Sequence, residues 1–153
     1  MILISHRGNI NGKKEGENEP RYVFDAMDAG YNVEVDIWYV DNKLYLGHDK
    51  PQYHIQAPFI GDSRIWCHAK NLEAIVEMKK FDAWYLKNIH YFWHQKDDVT
   101  LTSRNYIWAY PGMQPVSNSI AVMPEINNEF IGEREGGGCI GVCSDYIKKY
   151  SKK

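Results

Sequence analysis

The chain is 153 residues long, with 18 Lys and Arg against 20 Asp and Glu and a net charge of −2. That length reads as a single domain over 1–153 with room for a core; the charge balance has no basic stripe for nucleic acid, and no run of about 18 apolar residues could cross a membrane. Three cysteines, an odd number, read as reduced thiols, and the first apolar run starts too early to leave room for a signal peptide, so the expectation is a cytoplasmic protein.

Residues 2–5 are a short apolar run without helical period, which predicts a buried strand ending in His6-Arg7-Gly8. A polar, Gly-rich loop over 9–20 leads to a helix over 21–29, closed by Gly30. Residues 33–40 are rich in Val, Ile, Trp and Tyr and predict the second strand. Strand alternation puts Glu34 and Asp36 on one face and Val35 on the other. Burying two carboxylates in so apolar a run is costly without a cation, and their convergence suits a hard divalent ion. Asp41-Asn42 is a turn signal before Leu44-Tyr45-Leu46, so the chain folds back as a hairpin. A two-residue loop sets His48 opposite Val35 and a three-residue loop sets it opposite Asp36; either returns His48 to the carboxylates.

Residues 63–68 predict the third strand, and Asn71 caps a helix through Phe81 whose apolar face carries Leu72, Ile75, Val76 and Met78. Further strands are expected over 90–94, 106–110, 119–123 and 139–143. The connections 111–118 and 124–138 hold Pro, Gly and Asn but no helical period, and read as loops.

Two histidines, an arginine and two acids in the first third of the chain make up the parts of a metal-assisted phosphodiester site. Other candidates lie at strand ends. Lys70 could neutralise phosphate charge or be a surface lysine at a helix entry. Trp108 and Tyr110 could wall the leaving alcohol or be ordinary core. His94 with Gln95 could face the pocket, against a hydrogen-bonded core histidine. Asp145 reads as a turn cap, His54 and His90 as structural, Cys67 as a core thiol rather than a ligand, and the lysines at 148, 149, 152 and 153 as a solvated tail.

His6-Arg7-Gly8, Glu17-Asn18, Glu34-x-Asp36 and His48-Asp49 occur in the order and rough spacing of the glycerophosphodiester phosphodiesterase family, itself related to the spider-venom sphingomyelinase D enzymes. Segments 107–110 and 141–146 resemble that family's late strands, so the resemblance covers most of the chain. It implies a barrel with a divalent metal held by acids of the early strands and two histidines for acid and base work. His6 and His48 would take the histidine roles, Glu34 and Asp36 the metal, and Arg7 the phosphate. The family's third acidic ligand lies two residues before a lysine, where this chain has Cys67-His68-Ala69-Lys70; His68 would be the third ligand. A mixed oxygen and imidazole set tolerates Mn²⁺ or Zn²⁺ better than an all-oxygen set does, so the expected ion is Mg²⁺, Ca²⁺ or Mn²⁺, with Zn²⁺ as a further option. Two other departures are Gly16 where the family usually has Pro, and the lack of the usual Arg-Thr pair after His48-Asp49.

Such barrels typically take about 250 residues. The expectation is therefore a compact TIM-type (β/α) barrel of seven or eight short parallel strands with several outer helices reduced to loops. Aromatic residues make up 14% of the chain, with Trp84, Tyr85, Tyr91, Phe92 and Trp93 clustered, so bare strand faces are expected to be covered by a second copy in a homo-oligomer. The expected function is metal-dependent cleavage of a small glycerophosphodiester-like or sugar-phosphodiester substrate, by resemblance through a cyclic phosphate. Competing readings are a non-catalytic sugar-phosphate-binding or regulatory domain derived from the enzyme, and a sphingomyelinase D-like lyase that stops at the cyclic product. Two titratable histidines favour catalysis, because binding alone does not need them.

Overall fold

Alternating side chains sort the chain into two layers. In the computed structural model, which describes residues 1–129, 131 and 138–151, strand β2 (Asn32–Val40) turns Val33, Val35 and Ile37 to one face, all fully buried. They pack under helices α1 (Pro20–Asp28) and α2 (Leu72–Phe81) with Val23, Ala26, Met27, Ala74 and Met78. The opposite face carries Glu34 and Asp36. It continues into an interior of Ile4, Trp66, Phe92, Trp108, Ile120 and Cys143, drawn from β1 (Ile2–His6), β5 (Ile65–Ala69), β6 (His90–Trp93), β8 (Ile107–Ala109), β9 (Ser119–Val122) and β10 (Gly141–Ser144).

These strands form one ten-stranded sheet with β3 (Lys43–Leu46), β4 (Tyr53–Ile55) and β7 (Val99–Leu101). Its order is β4-β3-β2-β1-β10-β9-β8-β7, with β5 on β2 and β6 on β5. The ladders β6-β5-β2-β1-β10-β9-β8 are parallel; those of β3 with β2 and β4, and of β7 with β8, are antiparallel.

The expected TIM-type barrel of parallel strands is therefore wrong. The sheet is mixed, curls into an open half-barrel, and carries two α-helices among the described residues. The reasons are local. Asp41 and Asn42 both take positive φ, 48° and 59°, the two-residue hairpin turn that sends β3 back antiparallel. Between β7 and β8 the chain reverses within a few residues, closed by Thr102 N–H to the Tyr106 carbonyl at 2.9 Å, too short for the crossover of a dozen or so residues that parallel strands need. No ladder joins β6 to β8 among the described residues, so the curl does not close.

Helix α1 starts with Pro20 in its first turn, where the missing N–H costs nothing, and ends at Gly30 with φ 93°. Asn71 accepts the Ala74 N–H at 3.2 Å as the N-cap of α2. The buried stripe of α2 is Ala74 and Met78, and Leu72 and Val76 lie exposed, so the apolar face expected from spacing is rotated. A π-helical turn, Asp82–Leu86, follows and holds Trp84 and Tyr85 about three-quarters exposed, whereas Phe92 of the same aromatic cluster is buried. Residues 124–126 form a 3-10 turn rather than plain loop; the expected loop over 124–138 otherwise falls in part outside the described residues. No helix among the described residues is long and apolar enough to cross a membrane.

Candidate functional site

Strand register assembles the site. Parallel pairing of β1 with β2 sets His6 beside Glu34, and pairing of β2 with β5 sets Asp36 beside His68. All four lie on the face opposite the helices, His6 and His68 toward the C-terminal ends of their strands and Glu34 and Asp36 within β2. After β1 the chain turns sharply: Arg7 has φ 54° and Gly8 φ 93°. The Arg7 N–H donates to the Glu34 carbonyl at 2.9 Å, and the Asn18 N–H to the Arg7 carbonyl at 3.0 Å. A Cβ on Gly8 would lie 2.7 Å from Tyr22 Cδ1, so glycine is needed there for both space and φ.

Asp36 is fully buried and highly connected. Its Oδ2 accepts from Asn18 Nδ2 at 2.9 Å while its N–H donates to Asn18 Oδ1 at 2.9 Å. Arg7 Nε lies 2.9 Å from the same Oδ2 without a linear N–H, a charge contact rather than a hydrogen bond. Lys70 Nζ is 3.4 Å and His68 Nδ1 3.2 Å from Oδ1. Burial alone would raise the Asp36 pKa; the close contact with the His68 ring and the charges of Arg7, His68 and Lys70 outweigh it and hold the carboxyl well below the usual range. Glu34, also buried, has Oε1 3.6 Å from His68 Nδ1 and Oε2 3.8 Å from His6 Nε2.

His68 is oriented from both sides. Its Nε2 donates to the His94 carbonyl at 2.7 Å, an acceptor only, so the ring must carry its proton on Nε2. Nδ1 is left facing both carboxylates. It is a lone pair if the ring is neutral and an N–H if it is charged. Burial lowers the His68 pKa, but the close carboxylates of Asp36 and Glu34 and their charges raise it overall to about 9.

One oxygen, one nitrogen and one further oxygen of Glu34, Asp36 and His68 lie within 4.8 Å of one another. Among the described residues, Glu34 Oε2 and Asp36 Oδ1 are buried acceptors without a hydrogen-bond partner. Buried carboxylate oxygens that accept no hydrogen bond are costly, and a cation in their midst is the simplest way to satisfy both. The donor set therefore fits a divalent metal. The second acidic and imidazole group, His6, Glu17 and Asp145, is already consumed: Asn9 Nδ2 donates to Glu17 at 2.8 Å and to Asp145 at 2.9 Å, and Arg7 and Lys13 approach Glu17.

His6 Nδ1 donates to Asp145 Oδ1 at 2.7 Å, which leaves Nε2 free to face the cleft beside Glu34. Burial raises the Asp145 pKa, but the His6 hydrogen bond and charge and the Asn9 donor outweigh it and leave it lowered. Asp145, read from sequence as a turn cap, is instead the orienting partner of His6. Extending the β1–β10 register, in which Ser5 pairs with Ser144, brings Asp145 to His6, a long-range pairing that the sequence does not display.

The cleft has a volume of about 300 Å³. His6, Arg7, Glu34, His48, His68 and Lys70 line its polar side, and Trp108, Tyr110, Val122 and Met123 an apolar wall. His48 follows a two-residue hairpin loop, the first of the two registers considered, with Val40 paired to Lys43; its half-exposed ring hydrogen-bonds exposed Asp49 at 2.7 Å. Trp108 is both interior and wall, stacked 4.6 Å from Phe92, and half-exposed Tyr110 meets His94 edge-on at 5.4 Å. Cys67 points to the helix-side core, where burial pushes its thiol well up, and takes no part. All nine residues singled out from sequence except Asp36 line this one cleft, and Asp36 contacts three of them.

Compared with protein-family models, curated proteins and solved structures, the chain shows no match.

Proposed function

We propose that the chain is a metal-dependent phosphodiesterase acting on a small phosphodiester, of the glycerophosphodiester or sugar-phosphodiester kind that the sequence motifs suggest. The observation that carries the reading is the pair of buried carboxylate oxygens on Glu34 and Asp36 that accept no hydrogen bond among the described residues, beside His68 Nδ1. Those three residues would hold a Mg²⁺, Ca²⁺ or Mn²⁺ ion, with Zn²⁺ admitted by the imidazole. When bound, the cation supplies positive charge against the nonbridging phosphoryl oxygens.

Arg7 and Lys70 flank Asp36 and reach the same cleft, so both can turn a donor toward phosphate as negative charge develops. His6, held by Asp145, presents Nε2 to the cleft as an acid or base of fixed orientation. His48 faces it from the hairpin with access to solvent and can exchange protons with water. One removes the nucleophile's proton while the other protonates the leaving alkoxide, and imidazole suits both tasks near neutral pH. Trp108 and Tyr110 offer the leaving alcohol an apolar wall.

The test is a panel of phosphodiesters incubated with and without added metals, with products followed by phosphorus NMR. Turnover that chelator abolishes and Mg²⁺, Mn²⁺ or Ca²⁺ restores is expected, and the phosphorus signals separate hydrolysis from a lyase that stops at a cyclic phosphate. Full activity in excess chelator would remove the metal from the mechanism. No turnover across the panel, with saturable binding of sugar phosphates, would replace the enzyme by a binding module.

A further inference from the structure

A second and larger cavity, about 460 Å³, opens at the other end of the sheet, around the N-terminal ends of β1, β2, β5, β6 and β8. It shares no lining residue with the cleft. Its wall is aromatic: the Trp66 and His90 rings lie 3.8 Å apart, Trp66 and Tyr106 5.1 Å, and His90 and Tyr106 5.5 Å. His90 shares a 2.8 Å hydrogen bond with Thr102 Oγ1, which fixes its ring.

Among the described residues of the lining, Arg104 is the one that carries a charge. His90 adds no charge at neutral pH, because burial and the nearby Arg104 lower its pKa to about 3. A guanidinium has five N–H donors; Arg104 Nη2 has Asn88 Oδ1 at 3.4 Å and Asp82 Oδ1 at 3.9 Å, both loose, so donors remain for a ligand. Asn32 and Asn88 add polar groups at the rim. An end of the sheet serving stability alone would be filled by side chains; this one keeps a cavity in the size range of small-molecule sites.

We infer that this cavity binds a small anion carrying a planar ring, with the ring against the partly exposed Tyr106, beside the buried Trp66 and His90, and a phosphate or carboxylate on Arg104. A mononucleotide and an aryl carboxylate share that chemistry. The layer of Trp108 and Phe92, with Trp108 5.9 Å from Trp66, stands between this cavity and the cleft, so the two are occupied separately.

The experiment is a ¹H–¹⁵N NMR titration of the full chain with adenosine monophosphate, adenosine, inorganic phosphate and indole-3-acetate. The Trp66 indole signal is identified by its loss in Trp66→Phe. The monophosphate or indole-3-acetate should shift that signal saturably, with Kd of about 10 μM to 1 mM. Whichever of the two binds names the source of the ring. Adenosine and phosphate alone should bind at least about tenfold more weakly. Arg104→Gln, at a half-exposed position, should weaken the anion about 10- to 100-fold, and Lys70→Ala, in the cleft, should leave it unchanged. No saturable shift at Trp66 up to about 10 mM of either anion, shifts confined to the cleft, or equal affinity in Arg104→Gln would overturn the inference.

Discussion

Asp36 meets Arg7, Lys70 and His68 at once, yet one of its oxygens lacks a hydrogen bond. A residue so placed holds its neighbours' positions as much as it holds a cation, so its loss should be felt in metal affinity first. The histidines should behave differently. His6→Ala and His48→Ala are each expected to lower kcat by about 10²- to 10⁴-fold with metal binding nearly intact, measured by steady-state kinetics beside metal titration. Asp145→Asn should move kcat the same way, because it removes the negative charge that holds His6 as the Nδ1–H tautomer and lets an amide N–H face Nδ1 instead; unchanged kcat in Asp145→Asn would make that contact merely structural. His68 sets the pH behaviour of metal binding. With Nε2 committed to His94 and a pKa raised to about 9, Nδ1 carries a proton at neutral pH when no cation is bound. Proton and cation then compete, so affinity should climb as pH rises toward about 9, a higher window than the 6 to 7 of an ordinary histidine. Calorimetric titrations from pH 6 to 9 should show that climb in the wild type and a flatter profile in His68→Glu. Identical profiles in the two would show that His68 only packs at the strand end.

At the scale of elements, the turn between β1 and α1 carries the strain of the site. Gly8→Ala would combine φ 93° with a 2.7 Å approach to Tyr22, and a loss of about 1 to 3 kcal/mol in chemical denaturation is expected. Asn71→Ala, removing the cap of α2, should cost about 1 kcal/mol. The same scale explains what could be read in advance. Alternation along β2 placed Glu34 and Asp36 on one face, and Asp41-Asn42 announced the hairpin, because both signals are local. β4 and β7 escaped, each only three residues long; with β3 their antiparallel pairing makes the sheet mixed, and the lack of a ladder between β6 and β8 among the described residues leaves it open. Asp145 escaped for a different reason. Its partnership with His6 spans 139 positions and exists only through the β1–β10 ladder. Leu72 and Val76 misled on α2 because helical spacing says which residues share a face and not which face meets the sheet.

For the molecule as a whole, two histidines tilt stability in opposite directions in the metal-free protein. His90 has a folded pKa of about 3, below its unfolded value of 6.5, so the unfolded chain binds the extra proton and stability falls as pH drops below about 6.5. His68, raised to about 9, contributes stability that is fully present below 6.5 and lost as pH rises through 9. Asp36 and Asp145, both lowered, act nearer their ordinary carboxylate value of 3.8, so the His90 contribution falls between about pH 4.5 and 6.5. His90→Gln should flatten that acid slope; an unchanged slope would assign it to other groups. Around this frame the curl of the sheet gathers two histidines, an arginine, a lysine and a His68-carboxylate cluster on one cleft, and the proposed chemistry requires that cluster to take a cation. Titration of Mn²⁺ into the full chain at about pH 8, followed by electron paramagnetic resonance, tests this most directly. One saturable site per chain, weakened at least about tenfold in Asp36→Asn and in Glu34→Gln, is the predicted result. Absence of saturable binding, or equal affinity in both variants, would contradict it.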